Sequence, residues 1–249
     1  MERRKLVVGN WKMHGVAADI GEIRQIAAAA GRLPRVDAGL CVPATLVERA
    51  ARAVPGFAIG GQDVHFADAG AHTGCVSAAM LVDSGAVMVI VGHSERRQAQ
   101  CESDGDVAAK ARAGLRAGLL AILCVGESLA VREAGDAIAT VERQLDSSLP
   151  RDCDVTGLAI AYEPVWAIGT GKVPTSDDIA RMHSALRSRL KAAYGDSGEA
   201  IRILYGGSVK ASNALEIYSV ADVDGALVGG ASLQAADFVP IIEAAALKA

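Results

Sequence analysis

The sequence predicts an α/β protein that folds as a closed (β/α)8 barrel, a single domain over residues 1–249. Short apolar runs alternate with longer amphipathic segments about once every 30 residues, and such alternation requires a parallel sheet. Eight of these units follow one another with no Pro/Ser/Gly-rich linker, which fits a closed barrel better than an open doubly wound sheet. The open sheet also lacks its usual signature, because no GxGxxG follows the first run.

The apolar runs are the predicted strands, and the amphipathic segments between them are the predicted helices. We expect strands at residues 6–9, 38–42, 57–61, 86–91, 119–125, 157–161, 201–205 and 223–228. We expect the clearest helices at residues 16–30, 106–117, 134–149, 176–193 and 233–247. Thr175 and Ser232 are good N-cap residues before two of these helices, and Gly31, Gly118 and Gly195 suit helix ends.

Composition and charge restrict the possible functions. The net charge of −4 comes with no basic stripe, so nucleic acid is not expected as a partner. Hydrophobic residues make up 51% of the chain, yet no apolar run approaches the ~18 residues that a membrane span needs. The apolar run behind the charged N-terminus ends at Asn10, too early for a signal peptide. We therefore expect a cytoplasmic protein without a membrane partner.

The cysteines and most of the histidines predict neither disulfides nor a metal site. Five cysteines occur at irregular spacing without a CxxC pair, which favours reduced thiols and disfavours zinc. Cys41 and Cys124 lie inside apolar runs and are expected in the core. The histidines at positions 14, 65, 72 and 183 show no ligand spacing with Asp or Glu, and we interpret them as loop or surface residues.

Polar residues follow several of the apolar runs, at the carboxyl ends of strands, where barrels of this kind carry their chemistry. Asn10 and Lys12 follow the first run, His93 the fourth and Glu163 the sixth. Taken singly, Lys12 could be a solvated charge and His93 a core residue. At one barrel mouth, Lys12 would balance a phosphate and a developing oxyanion. His93, at the start of a short helix, would stay neutral and donate a hydrogen bond.

Glu163 stands at the start of a segment with the features of a lid. Between Ala161 and Lys172 the sequence has a stiff Pro-Val-Trp and then a Gly-Thr-Gly tip, with Pro174 just beyond. Stiff ends around a glycine tip suit a loop that swings and expels water, and a covered carboxylate can be tuned into a base. For this segment alone, a solvated glutamate before an ordinary βα loop is the alternative.

Two glycine-rich turns, Gly206-Gly207-Ser208 and Gly229-Gly230, follow the last two apolar runs. Without Cβ atoms their N–H groups can converge on an anion near a helix N-terminus. In this fold the loops after strands 7 and 8 commonly hold phosphate. Either turn alone could simply join strand to helix, but the adjacent pair predicts a substrate that carries phosphate.

Five blocks of the sequence resemble the triosephosphate isomerases. They occur in that family's order, at residues 10–15, 92–97, 161–171, 205–209 and 227–233. Membership would imply a TIM barrel that interconverts dihydroxyacetone phosphate and D-glyceraldehyde 3-phosphate, without cofactor or metal, in glycolysis and gluconeogenesis. Two alternatives are another phosphate-binding barrel enzyme and a non-catalytic barrel scaffold.

The resemblance also implies roles for individual residues. Glu163 would be the base that moves the proton, and His93 the neutral electrophile. Lys12 would supply positive potential and Asn10 a hydrogen bond. The residues implied to hold the substrate are Asn10, Lys12, Gly169, Ser208, Gly229 and Gly230.

A homodimer is a further implication, with the loop at residues 63–76 inserted beside the partner's active site. Three positions depart from the family's pattern. Cys75 replaces a glutamate that usually pairs with an arginine across the interface, here Arg96, so one ion pair is expected to be missing. Cys101 stands at the glycine of a common aromatic–Gly–Glu sequence, and Pro174 occupies a lid position usually held by alanine.

Overall fold

The computed structural model describes residues 3–168, 172 and 174–248, and its centre is a closed barrel of eight parallel strands in sequential order. The strands are β1 Leu6–Asn10, β2 Asp37–Cys41, β3 Ala58–Gly61, β4 Met88–Val91, β5 Leu120–Val125, β6 Leu158–Tyr162, β7 Arg202–Tyr205 and β8 Gly225–Val228. Pairing of β1 with both β2 and β8 closes the barrel. The predicted fold class and all eight predicted strands are confirmed.

Helices surround the barrel, and every strand is followed by at least one helix. They are α1 Ile20–Ala30, α2 Ala44–Ala53, α3 Ala78–Asp83, α4 Ser94–Ala99, α5 Asp104–Arg116, α6 Leu129–Glu133, α7 Ala137–Ser148, α8 Ser176–Tyr194, α9 Asp196–Ala200, α10 Ala211–Ser219 and α11 Ala235–Ala246. Short 3-10 turns occur at Ala17–Asp19, Val165–Ala167 and Gly230–Ser232. No helix in the described part of the chain combines the length and apolar composition that a membrane crossing requires.

The helix ends test the predicted caps. Thr175 caps α8, and its hydroxyl accepts a hydrogen bond from the Asp178 N–H. Gly31 ends α1, and Gly195 ends α8 with a positive φ of 58°. Ser232 was wrongly predicted as the cap of the last helix, because α11 begins at Ala235 after Gln234.

Two apolar layers hold the barrel together, since successive residues of a strand point to opposite faces. One layer fills the barrel interior and contains Leu6, Val8, Cys41, Met88, Ile90, Ile122, Cys124, Ala159, Ala161, Leu204 and Leu227. The other lies between the strands and the helices and includes Val7, which faces away from Val8. The two cysteines predicted in the core are fully buried in the interior layer.

A buried ion-pair network stabilises the opposite end of the barrel from the predicted site. The Arg187 guanidinium lies 2.8 Å from Asp224 and 3.0 Å from Asp222, and Arg3 pairs with the same two carboxylates. His183 packs beside this network with Nδ1 3.0 Å from the Asp222 carbonyl oxygen. Its interpretation as a loop or surface residue is therefore wrong, because it lies on the inward face of α8 and is fully buried.

Candidate active site

The predicted site residues that the structure describes converge on one cavity of about 260 Å³ at the carboxyl ends of the strands. Those that line it are Asn10, Lys12, His93, Glu163, Ser208, Gly229 and Gly230. Gly169, the remaining predicted residue, lies outside the described residues. A larger cavity of about 830 Å³ lies at the opposite end of the strands, and none of the predicted residues lines it.

Glu163 follows β6 directly and is almost completely buried, with 2% of its surface exposed. Its backbone fits there because Gly126 lies opposite, where a Cβ atom would stand 1.8 Å from the Glu163 carbonyl oxygen. A Cβ on Gly206 would stand 3.1 Å from the Glu163 Cγ atom. The two neighbouring strands therefore each place a glycine against this residue, and larger side chains would displace the carboxylate.

Three donors hold the Glu163 carboxylate. His93 Nε2 lies 2.9 Å from Oε1, the Ser94 N–H lies 2.9 Å from Oε2, and the Ser94 hydroxyl lies 3.2 Å from Oε1. Burial alone would raise the pKa of Glu163, but His93 and the two donors of Ser94 outweigh it and lower the pKa below the ordinary value. The carboxylate is thus held ionised, ready to accept a proton once it leaves these donors.

The position of His93 selects the tautomer of its ring. His93 is the N-cap of α4, and its Nδ1 atom accepts a hydrogen bond from the Glu95 N–H at 3.2 Å. Because Nδ1 accepts, the proton of a neutral imidazole lies on Nε2. That is the nitrogen that faces Glu163 and the cavity. The neutral, donating histidine expected from the sequence is therefore compatible with the hydrogen bonds.

Lys12 reaches the cavity from a strained backbone position. Its φ of 53° is in the left-handed region, and the Asn10 side chain accepts a hydrogen bond from its N–H at 3.0 Å. The ammonium lies 2.6 Å from Glu95 Oε1. Its side chain passes beside Gly229, where an added Cβ would stand 3.5 Å from Lys12 Cε. Strain of this kind persists where the surrounding structure fixes it, often at functional sites.

The two glycine turns form the wall opposite Glu163. Ser208 follows β7, and its carbonyl accepts a hydrogen bond from the Asn213 side chain of α10 at 3.1 Å. Gly229 follows β8, and its carbonyl accepts a hydrogen bond from the Ser232 hydroxyl at 2.7 Å. Trp11 joins this turn to the β1 end by donating to the Ser232 carbonyl at 2.9 Å. Their carbonyls are engaged elsewhere, so the turns leave backbone N–H groups for an anion.

The sequence alone did not show the local contacts of Ser94 and Cys124. Ser94 lies 69 residues from the carboxylate that it binds, and no periodicity predicts that contact. Cys124 was expected only as a core residue, yet its buried thiol lies beside Glu163, and burial together with that carboxylate raises the pKa of the thiol. For both residues, the signal was a position at or just after a strand end.

Arg96 is not left without a partner, contrary to the expectation drawn from Cys75. Its guanidinium lies 2.8 Å from Asp63 and 2.5 Å from Glu102. Lys110 bridges the same two carboxylates, at 2.7 Å and 2.5 Å. The four charges form a closed group within one chain, so the lost acidic side chain at position 75 does not leave Arg96 unpaired.

A closed parallel barrel with a carboxylate, an imidazole and an ammonium at its carboxyl-terminal mouth defines the chain as a (β/α)8-barrel enzyme. Comparison with known proteins gives the family. The triosephosphate isomerase family model matches residues 5–245. The chain belongs to the triosephosphate isomerase family.

Individual relatives are similar over nearly their whole length. The triosephosphate isomerase of Ruegeria sp. (strain TM1040) is 55% identical over 244 residues, which cover 98% of each chain. That of Ruegeria pomeroyi is 56% identical over 245 residues and 97% of each chain. The crystal structure of triosephosphate isomerase from Bartonella henselae superposes with a TM-score of 0.90 at 47% identity, covering 97% of this chain and 98% of the other.

Proposed function

We propose that this protein interconverts dihydroxyacetone phosphate and D-glyceraldehyde 3-phosphate by proton transfer through an enediolate. The observation that carries the proposal is the convergence of Glu163, His93 and Lys12 on one cavity beside two glycine turns. Family membership over residues 5–245 supports the same reaction. Neither alternative, another barrel enzyme or a non-catalytic scaffold, has comparable support.

Each residue has a role that its environment favours. The Glu163 carboxylate takes a proton from the carbon beside the carbonyl and returns it to the neighbouring carbon. The His93 Nε2–H and the Lys12 ammonium stabilise the negative charge that develops on oxygen, and the Asn10 side chain positions Lys12 through its backbone. No redox cofactor enters this scheme, because the substrate carbons exchange only a proton and an electron pair.

The phosphate would be held by backbone N–H groups of Gly169, Ser208, Gly229 and Gly230. The open cavity wall at residues 229 and 230 supports this, because an added Cβ at Gly230 would meet nothing within 4 Å. Lys12, whose side chain passes beside Gly229, would supply a counter charge. Replacing Lys12 with alanine should therefore weaken the binding of 2-phosphoglycolate more than replacing the exposed Lys172 does, which titration calorimetry measures.

A coupled assay with purified protein and D-glyceraldehyde 3-phosphate tests the reaction directly. Glu163→Asp should lower kcat about 10²-fold, because the shorter side chain withdraws the carboxylate by about one bond. Glu133→Asp, an exposed glutamate on α6, is the matched control and should retain wild-type turnover. A Glu163→Asp variant within threefold of wild type would show that Glu163 is not the base.

We also propose that the enzyme is a homodimer in which the loop at residues 63–76 inserts beside the partner's site. A groove of about 430 Å³ adjoins the site cavity and is lined by residues that include Met13, Cys75 and Arg96. Met13 is 95% exposed in the single chain and Met80 56%, as expected of side chains that a partner covers. Sedimentation over a dilution series would test the dimer.

We propose the cytoplasm as its location. All five cysteines are free thiols in the structure, which suits a reducing compartment. Phosphorylated trioses are also intermediates of cytoplasmic sugar metabolism, in which the family acts. Fractionation followed by the isomerase assay would test this location, and activity confined to another fraction would contradict it.

A further inference from the structure

One guanidinium contacts both sides of the predicted lid. The Arg132 side chain extends from α6, and its Cζ atom lies 4.6 Å from the centre of the Trp166 ring. Its Nη2 atom lies 2.8 Å from Asp178 Oδ2. Trp166 precedes the lid tip and Asp178 follows it, so a single side chain links the two stems.

Both contacts are made to groups that are themselves fixed. The Trp166 Nε1–H donates to Glu127 Oε1 at 2.8 Å, and the Glu127 side chain is completely buried. Asp178 lies in the first turn of α8 and accepts from the Thr175 N–H and hydroxyl, at 3.2 Å and 2.7 Å. The guanidinium therefore connects a ring whose edge is anchored to a carboxylate that caps a helix.

The Trp166 side chain is close to the chemistry along the chain. It belongs to the Val165–Ala167 turn that begins two residues after Glu163. A change in the position of this ring would be transmitted through Pro164, whose ring restricts the backbone between them. The alignment of Trp166 therefore affects where the base stands when the lid is closed.

We infer that Arg132 is a positioning residue for the lid, which holds the Trp166 stem and the α8 stem in the relative arrangement that closure over the site requires. This inference rests on the proposed function, because closure matters only if Glu163 acts on a bound substrate. Arginine suits the role because a planar guanidinium can stack on an indole and pair with a carboxylate at the same time.

Three variants separate the contacts. Arg132→Met keeps much of the aliphatic stem but removes both the stacking charge and the ion pair. Arg132→Lys keeps the charge and loses the planar fork. Arg181→Met is the matched control, since Arg181 lies 3.7 Å from the same Asp178 carboxylate but is 71% exposed on the same helix.

Fluorine spectra of protein labelled with 5-fluorotryptophan give a direct readout, because the chain has only two tryptophans. Trp11 is buried at the β1 end and serves as the internal reference. In Arg132→Met we expect the Trp166 signal to shift or broaden while the Trp11 signal stays. We also expect kcat/KM and the affinity for 2-phosphoglycolate to fall about tenfold.

The other variants should follow the contacts that they keep. Arg132→Lys should lose about threefold in both quantities, and Arg181→Met should stay within twofold of wild type. If Arg132→Met keeps wild-type kcat/KM and an unchanged Trp166 signal, Arg132 does not position the lid. A lower Tm with an unchanged Trp166 signal would likewise contradict the inference, because it would show a purely structural role.

Failure of the proposed function would look different. In that case wild type itself would lack isomerase activity, whatever residue stands at position 132. The Trp166 signal of the ligand-free protein would still report whether Arg132 fixes the ring.

Discussion

Ser94 determines the resting state of the base. Two of the three donors to the Glu163 carboxylate belong to this residue, one from its backbone and one from its hydroxyl. They hold the pKa of Glu163 down against the effect of burial. Closure of a lid that excludes water would act in the opposite direction, so the basicity of Glu163 depends on which neighbours it has at each stage.

Replacing Ser94 with alanine should make Glu163 easier to protonate. The variant removes the hydroxyl donor to the ionised carboxylate and keeps the backbone donor, so the pKa of Glu163 should rise. The acid limb of the pH profile of kcat/KM reports the base of the free enzyme, and it should move to higher pH. Ser188→Ala, on the exposed face of α8, is the control. An acid limb that coincides with wild type would contradict this role for Ser94.

Helix α8 contains a buried histidine that should make folding sensitive to acid. Burial lowers the pKa of His183 to about 4, from 6.5 in the unfolded chain. Between these values the unfolded chain binds a proton that the folded protein does not, so stability falls as pH drops from 6.5 toward 4. The loss should be at most about 3 kcal/mol.

Denaturant unfolding at a series of pH values measures this loss. His183→Asn can still donate to the Asp222 carbonyl but cannot be protonated, so its stability should depend less on pH in that window. It should be less stable than wild type at neutral pH, because the smaller side chain leaves a cavity. His14→Asn, at an exposed position, is the control. Parallel curves for wild type and His183→Asn would show that another group causes the acid sensitivity.

The connection between α4 and α5 contains a residue that its backbone does not favour. Cys101 has a φ of 54°, and a side chain in this region costs about 1–2 kcal/mol that glycine avoids. Cys101→Gly should therefore raise stability by about 1 kcal/mol after the greater freedom of the unfolded chain is counted, or Tm by about 2–4 °C. Calorimetry checks this. Cys153→Gly, at a residue without positive φ, should lower Tm.

The elements could be predicted because strands buried on both faces are apolar without interruption, and helices between them are amphipathic. The site could be located because chemistry lies at strand ends in this fold. Ser232 was assigned to the wrong role because a good capping residue also forms tight turns. His183 was misplaced because a histidine carries no local mark of burial. Its neighbour Asp222 lies 39 residues away.

At the scale of the whole molecule, Cys75 matters less than the sequence suggested. Arg96 already has two carboxylates in its own chain, Asp63 and Glu102. Cys75→Glu would bring a third negative charge to a group whose charges are already paired. Surface ion pairs contribute little in such a setting, so the dissociation constant of the proposed dimer should change by less than about threefold.

Sedimentation of both proteins over a dilution series at low salt checks this expectation. Cys101→Glu, outside the loop at residues 63–76, is a matched control for the added charge. If Cys75→Glu dissociates at a concentration more than tenfold lower than wild type, Arg96 has capacity for a further partner across the interface.

The backbone of Lys12 has a consequence for how the sequence can evolve. Glycine would suit its φ of 53° better than lysine does, so selection for stable folding alone favours losing this side chain. Selection for the reaction favours keeping it, because no other residue follows β1 at a point where an ammonium passes beside Gly229. The two pressures oppose each other at one position. A lineage that no longer needed the reaction should therefore accept substitutions at Lys12 early, with a gain in stability.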